Sequence, residues 1–405
     1  MRLLPDDVLP ETRLLLWGRA LRAFGDGFVS LLLPFYLTLL GFGPSAVGGL
    51  ITATLAGSAA LTLTVGFTAH RFGQRGLLVA AALLMIGTGI GFTLETRFWP
   101  LLAIGFLGTL NPSSGDVSVF LPLEQAMLAE TVSDRSRTAV FAVYSLVGSL
   151  VAAAGSLAAG MPELVSKAWP MSLATALQAM FALYALLGLA TYYLYRRLPP
   201  RFDRHSGAQR QALGPSRRIV LTLAALFSLD AFGGGFIVQS LLALWLFDRF
   251  GLSLAAAGSF FFWSGLLSAG SYLAAARIAR RIGLVNTMVW THLPSNILLI
   301  LAPFAPSLWL ALALMLARSA LSQMDVPTRT SYVMAVVTPG ERAAAAGVTA
   351  VPRSLAAAAS PLASGYLLGL SAFGWPLVAA GVLKGIYDLL LLLLFRHRRP
   401  PEEQG

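Results

Sequence analysis

Arg22 and Asp26 sit four residues apart in an apolar stretch, Leu14 to Leu40, where few other ionic side chains occur. With Arg19 they share one helix face, at the i+3 and i+4 spacings that bring side chains together. Other apolar stretches hold Asp116, Glu124, Asp230, Arg318, Asp325, Arg329, Arg353, Lys384 and Asp388. A charge at the centre of a membrane-spanning helix costs about 2.5–3.5 kcal/mol on insertion scales. Such residues pair, face a wet cavity, or both, and the default reading of them is functional. Two chemistries fit. Opposite charges can hold helices in register as buried ion pairs. A carboxylate that meets water in one conformation and not in another can bind and release a proton.

The elements that carry these charges are spanning helices. Of 405 residues, 57% are hydrophobic and only 12% charged, against about 25% charged in ordinary soluble domains. The apolar runs are about 20 residues or longer, enough to cross a bilayer. About twelve can be read, starting near Leu14, Ala46, Leu77, Trp99, Ala139, Met171, Ile219, Leu254, Leu284, Leu308, Ala343 and Pro376. The sequence is thus that of an all-α, multi-pass membrane protein. Its N-terminal residues do not read as a cleavable signal peptide, because Asp6, Asp7 and Glu11 interrupt the basic residues. The net charge of +11 follows the positive-inside pattern: Arg71, Arg75, Arg135, Arg137, Arg277, Arg280, Arg281 and Arg342 fall in loops on one side. Both termini belong to that side, expected to be the cytoplasmic one. No basic face alternates with exposed aromatics, which argues against nucleic-acid binding. The chain has no cysteine, which excludes disulfides and thiolate metal sites.

The chain repeats itself. Arg22-Ala-Phe-Gly-Asp-Gly-Phe28 returns 208 positions later as Asp230-Ala-Phe-Gly-Gly-Gly-Phe236, with the first charge inverted and Asp26 replaced by Gly234. Pro122 matches Pro327 and Gly160 matches Gly365 at an offset of 205. Two parallel six-helix halves related by an axis along the membrane normal are one architecture of alternating-access carriers. The expected division is a first half over 1–195, a basic linker over 196–218, a second half over 219–395 and a basic tail over 396–405. The repeat also pairs charges. Arg22 corresponds to Asp230 and Glu124 to Arg329, so each half has one charge on its first helix and the opposite charge on its fourth. That predicts two buried ion pairs of inverted polarity, Arg22–Glu124 and Asp230–Arg329.

The loop after the second span reads Gly66-Phe-Thr-Ala-His70-Arg71-Phe-Gly73-Gln-Arg75. With the repeat and the twelve spans, it resembles the major facilitator superfamily of secondary transporters, whose pattern there is Gly-x-x-Ala-Asp-Arg-x-Gly-Arg-Arg. The resemblance covers essentially the whole chain. It implies a fold of about twelve transmembrane helices in two pseudo-symmetric halves, with the first, fourth, seventh and tenth spans around a central cavity. It also implies a cytoplasmic gate formed by Gly66, His70, Arg71, Gly73 and Arg75 with the repeat partners Arg280, Arg281 and Gly283. His70 stands where the family has an acid, so the gate's charge network is altered here.

Gly148, Ala152, Ser156 and Gly160 form a small-residue stripe on the fifth span. They read as close packing or as a degraded form of the family's antiporter motif. Lys384 and Asp388, at i and i+4 on a span that is peripheral in the family, read as a structural pair. His292 and His397 have no metal-ligand company in the sequence. Gln239, Asn296, Gln323, Trp17, Tyr36 and Trp245 are candidates to line a cavity of mixed polarity.

These readings converge on a carrier of the cytoplasmic membrane. It is expected to export a small organic solute or drug in exchange for protons, with Asp26, Arg22, Glu124, Asp230 and Arg329 as the proton-coupling or substrate-binding set. Its expected partners are that solute, protons and membrane lipid, and it is expected to work as a monomer, with neither cofactor nor metal. One alternative is uptake or exchange of an anionic solute clamped by Arg22 and Arg329. Another is a membrane receptor or scaffold that transports nothing. No nucleophile–base constellation points to an enzyme.

Overall fold

The computed structural model describes residues 9–113, 118–131, 134–203, 214–338 and 341–396, excepting the side chains of 66–71, 134–139, 203, 273, 276, 342 and 343. The α-helices are α1 (Pro10–Leu39), α2 (Pro44–Phe72), α3 (Gln74–Leu94), α4 (Phe98–Leu107), α5 (Phe120–Glu130), α6 (Asp134–Ala158), α7 (Met161–Ala168), α8 (Leu173–Arg196), α9 (Arg217–Gly235), α10 (Gln239–Phe250), α11 (Leu254–Ile282), α12 (Leu284–Leu301), α13 (Leu308–Leu321), α14 (Asp325–Val336), α15 (Arg342–Leu370) and α16 (Trp375–Phe395). Among the described residues, nine helical segments are long and apolar enough to cross a membrane. Three further crossings are α4 with α5, α13 with α14, and α15, which makes twelve in two halves of six.

The fourth, seventh and tenth crossings, which the sequence reads as continuous, are broken. The described residues 108–113 and 118–119 lie outside helix between α4 and α5, Phe236–Val238 separate α9 from α10, and Ser322–Met324 separate α13 from α14. A break inside a membrane frees backbone groups, which must be satisfied within the protein. Two of the breaks show how. The carbonyl of Pro112 accepts from Ser240 N–H (3.1 Å) and Ser240 Oγ (2.9 Å). The carbonyl of Phe236 accepts from Ser364 Oγ (2.7 Å).

Small residues decide which helices touch. Lipid is as apolar as a leucine side chain, so helices associate in it through close backbone approach. A Cβ on Gly27 would collide with the carbonyl of Ala152, and one on Gly155 with the carbonyl of Phe24, which locks α1 to α6. The stripe on α6 then continues across to the second half. A Cβ on Gly258 would strike the carbonyl of Ser156, and one on Gly160 would come 2.8 Å from Ala255 Cα. Between α2 and α15, Gly48 and Gly365 are so close that a Cβ on either would lie 2.8 Å from the other's Cα. The stripe therefore serves as a packing seam on both of its flanks.

Polar contacts reinforce that seam. Ser240 Oγ donates to the carbonyl of Ser30 at 2.6 Å. The Glu163 carboxylate of α7 accepts from Leu254 N–H (2.8 Å) and Ala255 N–H (3.3 Å), so the first half caps the N-terminus of α11 in the second. These contacts lie in the half of each crossing farther from the chain termini. On the side of the termini, Glu341 accepts from Ser216 Oγ (2.6 Å), Thr338 Oγ1 (2.7 Å) and the N–H of Gly214. Those hydrogen bonds hold its carboxyl at about 2, below the usual carboxylate range, and tie the start of α9 to the start of α15.

Gly73 (φ 70°, ψ 150°) and Gly283 (φ 86°, ψ 164°) end α2 and α11 in the same backbone conformation, 210 positions apart. That region is accessible essentially to glycine alone, and another residue there costs about 1–3 kcal/mol. Gly73→Ala and Gly283→Ala should each lower the melting point of the purified protein in detergent. Gly76→Ala, inside α3 with nothing within 4 Å of the new methyl group, should leave it unchanged or raise it. Equal effects at all three positions would show that the two loops are not built this way.

Candidate functional site

In the first half, the charges of α1 meet α5 across the interior. The guanidinium of Arg22 donates from one terminal nitrogen to Glu124 and from Nε to Tyr195 Oη at 3.2 Å. It lies 4.2 Å from the centroid of the Phe120 ring. Glu124 also accepts from the hydroxyls of Tyr144 and Tyr195. A fully buried carboxylate thus has three donors, from α1, α6 and α8. The glycines of α1 make this possible: a Cβ on Gly18 would meet the ring of Tyr195 at 2.7 Å.

Asp26, one turn farther along α1, accepts from Asn111 Nδ2 at 3.4 Å, and Asn111 lies in the break after α4. Arg19 stacks 5.2 Å from the Tyr144 ring centroid and rests against Gly148.

The second half holds the predicted partner pair and more. Asp230 Oδ2 accepts from Arg329 at 2.9 Å and Asp230 Oδ1 from Lys384 Nζ at 2.6 Å. Arg329 also ion-pairs with Asp325 and lies 5.1 Å from the Phe227 ring centroid. Beyond Asp230, His292 Nε2 is 3.9 Å from Oδ1. His292 Nδ1 is 2.9 Å from Asp388 Oδ1, and Asn296 Nδ2 donates to Asp388 Oδ2 at 2.8 Å.

This corrects the reading of Lys384 and Asp388 as partners along one helix. The two lie on α16, but Lys384 reaches α9 and Asp388 reaches α12. The reason is the density of charge on α9, α12 and α14, which offers each a closer partner. Asn296, a cavity candidate in the sequence, instead joins the Asp388 carboxylate, and of the rest of the network the sequence puts none of Tyr144, Tyr195, Asn111 and His292 at a site. Only His292 had a usable signal there, an ionisable side chain inside an apolar span.

The structure thus brings Arg22 to Glu124 and Asp230 to Arg329, and holds Asp26 one turn from Arg22 on α1. It sends several cavity candidates elsewhere. Tyr36 and Trp245 are buried and bond to Gln178 and to the Phe373 carbonyl, respectively. Trp17 is largely exposed and lines a groove of about 460 Å³ between α1 and α8 with Leu21, Tyr193 and Arg197. Gln239 reaches Ser156 Oγ (3.4 Å) across the halves, and Gln323 accepts from Tyr272 (3.0 Å). Of the gate candidates, the side chains of His70 and Arg71 and the surroundings of Gly66 lie outside the described residues, as does Asp116. Arg75 donates to the Arg196 carbonyl within its own half (3.0 Å). Gly73 and Gly283 form the loops described above, and Arg280 and Arg281 are exposed.

A family profile described as the Major Facilitator Superfamily matches residues 15–297. The chain belongs to this superfamily. An uncharacterized membrane protein of Saccharomyces cerevisiae is 25% identical over 94% of this chain and 93% of its own length. A Na(+), Li(+), K(+)/H(+) antiporter of Planococcus maritimus is 29% identical over 153 residues, 35% of each chain. The solved structure of the nucleoside transporter NupG superposes with a TM-score of 0.72 at 12% identity, over 96% of this chain and all of that one; it shares this major-facilitator fold.

Removing one member of a buried ion pair leaves an uncompensated charge, at a cost of about 3–5 kcal/mol. Arg22→Glu and Glu124→Arg should each abolish the folded protein or its transport, and the double exchange should recover part of the loss. At Asp230 and Arg329 the same exchange should recover much less, because the new arginine would face Lys384 and the new aspartate would face Asp325. Yields of monodisperse protein from the single and double variants check this. Equal rescue at both sites would contradict the network.

Proposed function

We propose that this secondary transporter of the major facilitator type exports a small organic solute in exchange for protons across the cytoplasmic membrane, with both termini in the cytoplasm. The observation that carries this reading is Asp26. It is buried beside two arginines, yet its one described hydrogen bond is a long one from an amide. Neutralising it removes the cost of holding a charge away from water, and water reaches such a group when the halves rock apart. The partial similarity to a cation/H(+) antiporter supports exchange with protons. The basic loops on the side of the termini support the orientation, and the seam away from them fits a carrier closed on its outer face. The loop from Gly66 to Arg75, with its partner from Ala276 to Gly283, is the gate of the opposite face in this reading.

A second reading, exchange of an anionic solute, has an observation of its own. The Nε and one terminal nitrogen of Arg329 are buried without a hydrogen-bond partner among the described residues, so two donors remain for a carboxylate or phosphate. Purified protein in liposomes, with an imposed pH gradient and a panel of cationic, neutral and anionic compounds, separates the two. Gradient-driven movement of a cationic or amphipathic compound is expected, and Asp26→Asn should abolish the driving while exchange without a gradient continues. Full driven transport by Asp26→Asn removes Asp26 from the mechanism. Inhibition by organic phosphates and carboxylates alone favours the anion reading.

A further inference from the structure

His292 stands between two carboxylates from different helices. Its Nδ1 is 2.9 Å from Asp388 on α16 and its Nε2 is 3.9 Å from Asp230 on α9. All three side chains are buried, and none of them belongs to the Asp26 site of the first half. Around them, Asn296 Oδ1, Ser295 Oγ and the hydroxyl of Tyr387 are buried and have no hydrogen-bond partner among the described residues. The rings of Tyr387 and His292 meet edge to face at 6.1 Å. Buried polar groups are normally satisfied. A group of them left unpaired next to an ionisable pair is the surrounding expected where water and protons enter in another conformation.

We propose that His292 and Asp388 form a second proton-binding site, in the second half, whose occupancy is read by Asp230. Its role as a carrier of the coupling ion rests on the proton-exchange reading above. With one proton on the imidazole, Nδ1–H donates to Asp388 and Nε2 presents a lone pair toward Asp230. A proton arriving from water adds to Nε2. Its carrier, a hydronium ion, loses one O–H bond and leaves as water, and the product is an imidazolium between two carboxylates. That cation then competes with Lys384 Nζ for Asp230 Oδ1, the same oxygen that holds Lys384 at 2.6 Å. Asp230 joins α9 to α14 through Arg329 and to α16 through Lys384, so proton occupancy changes how three helices are held. These are parts of the seventh, tenth and twelfth crossings, and the first two of these are the broken ones.

The surrounding charges are compatible with a site that alternates between neutral and positive. α9 contributes Asp230, α16 contributes Lys384, Tyr387 and Asp388, and α14 contributes Asp325, Arg329 and Tyr332. α13 contributes Arg318. α11 contributes Tyr272, which bonds to Gln323, and Arg277, Arg280 and Arg281, which are exposed. Three acids thus stand against three interior bases, and a neutral histidine leaves the cluster balanced. One added proton makes it net positive, a state that substrate binding or movement of the halves can discharge.

Two measurements on the full-length protein test this. In nanodiscs with ¹⁵N-labelled histidine, the His292 signals are assigned by their loss in His292→Gln. They should pass between neutral and charged forms over the pH range in which gradient-driven transport is measured, and Asp388→Asn should alter that transition without touching the other histidines. In liposomes, ethidium serves as the transported probe for wild type, His292→Gln and Asp388→Asn. The dependence of its movement on the imposed pH gradient should weaken by about 5-fold or more in both variants, with melting curves confirming that they fold. A His292 that keeps one protonation state across that range overturns the proposal, whatever the liposomes show. So does wild-type gradient dependence in a folded His292→Gln. Titration of His292 in a wild-type protein that no pH gradient drives would instead overturn the proton-exchange reading, and with it the coupling role, leaving the proton-binding site itself established.

Discussion

Charge inside the bilayer governs this structure. In each half one buried carboxylate is met by basic side chains from other helices, Glu124 by Arg22 and Asp230 by Arg329 and Lys384, and those contacts constrain where the helices sit. A lone buried charge would be costly enough to consume much of a protein's net stability of about 5–15 kcal/mol. Partner positions are therefore constrained more tightly than the apolar surfaces around them. Buried ion pairs add little net stability over apolar substitutes, so their retention in both halves points to specificity and function.

The two halves solve the same problem with inverted charges and unequal means. The first neutralises Glu124 with one arginine and two tyrosine hydroxyls, which donate without adding charge. The second gathers Arg329, Lys384 and His292 around Asp230, and Asp388 and Asn296 behind the histidine. The first cluster is compact and saturated with donors. The second is a chain of titratable groups with unpaired polar atoms at its edge. The inverted polarity permits this difference, because a central carboxylate on the first helix of a half can be approached by cations from several neighbouring helices.

The seam between the halves is of another kind. It consists of glycine against backbone, Gly48 with Gly365 and Gly258 with Ser156, plus backbone hydrogen bonds such as those accepted by Pro112 and Glu163. No ion pair between the halves is described among these contacts. An interface of close van der Waals contact and hydrogen bonds, with Glu163 as the one carboxylate among these contacts, can be parted without breaking an ion pair, which suits two bodies that must separate on one face and meet on the other.

The sequence by itself determined the helical membrane class, the twelve crossings, the half-chain repeat and the pairing of Arg22 with Glu124 and of Asp230 with Arg329. Each follows from local physics: a run of apolar residues can only be satisfied as a helix in lipid, and a charge inverted at one repeat position demands the inverse at its partner. What the tertiary structure decided was which third and fourth groups enter each cluster. Lys384 turns to Asp230 and Asp388 to His292, although the two share a helix face at the spacing of a pair. Tyr144 and Tyr195 arrive at Glu124 from helices 20 and 71 residues away. The breaks after α4, at 236–238 and at 322–324 were equally hidden, because apolarity continues across them and only distant acceptors and donors such as Ser240 and Ser364 stabilise an opened turn. Periodicity reports what one helix can offer; which offer is taken depends on the distances to every neighbour, and those exist only after the helices have packed.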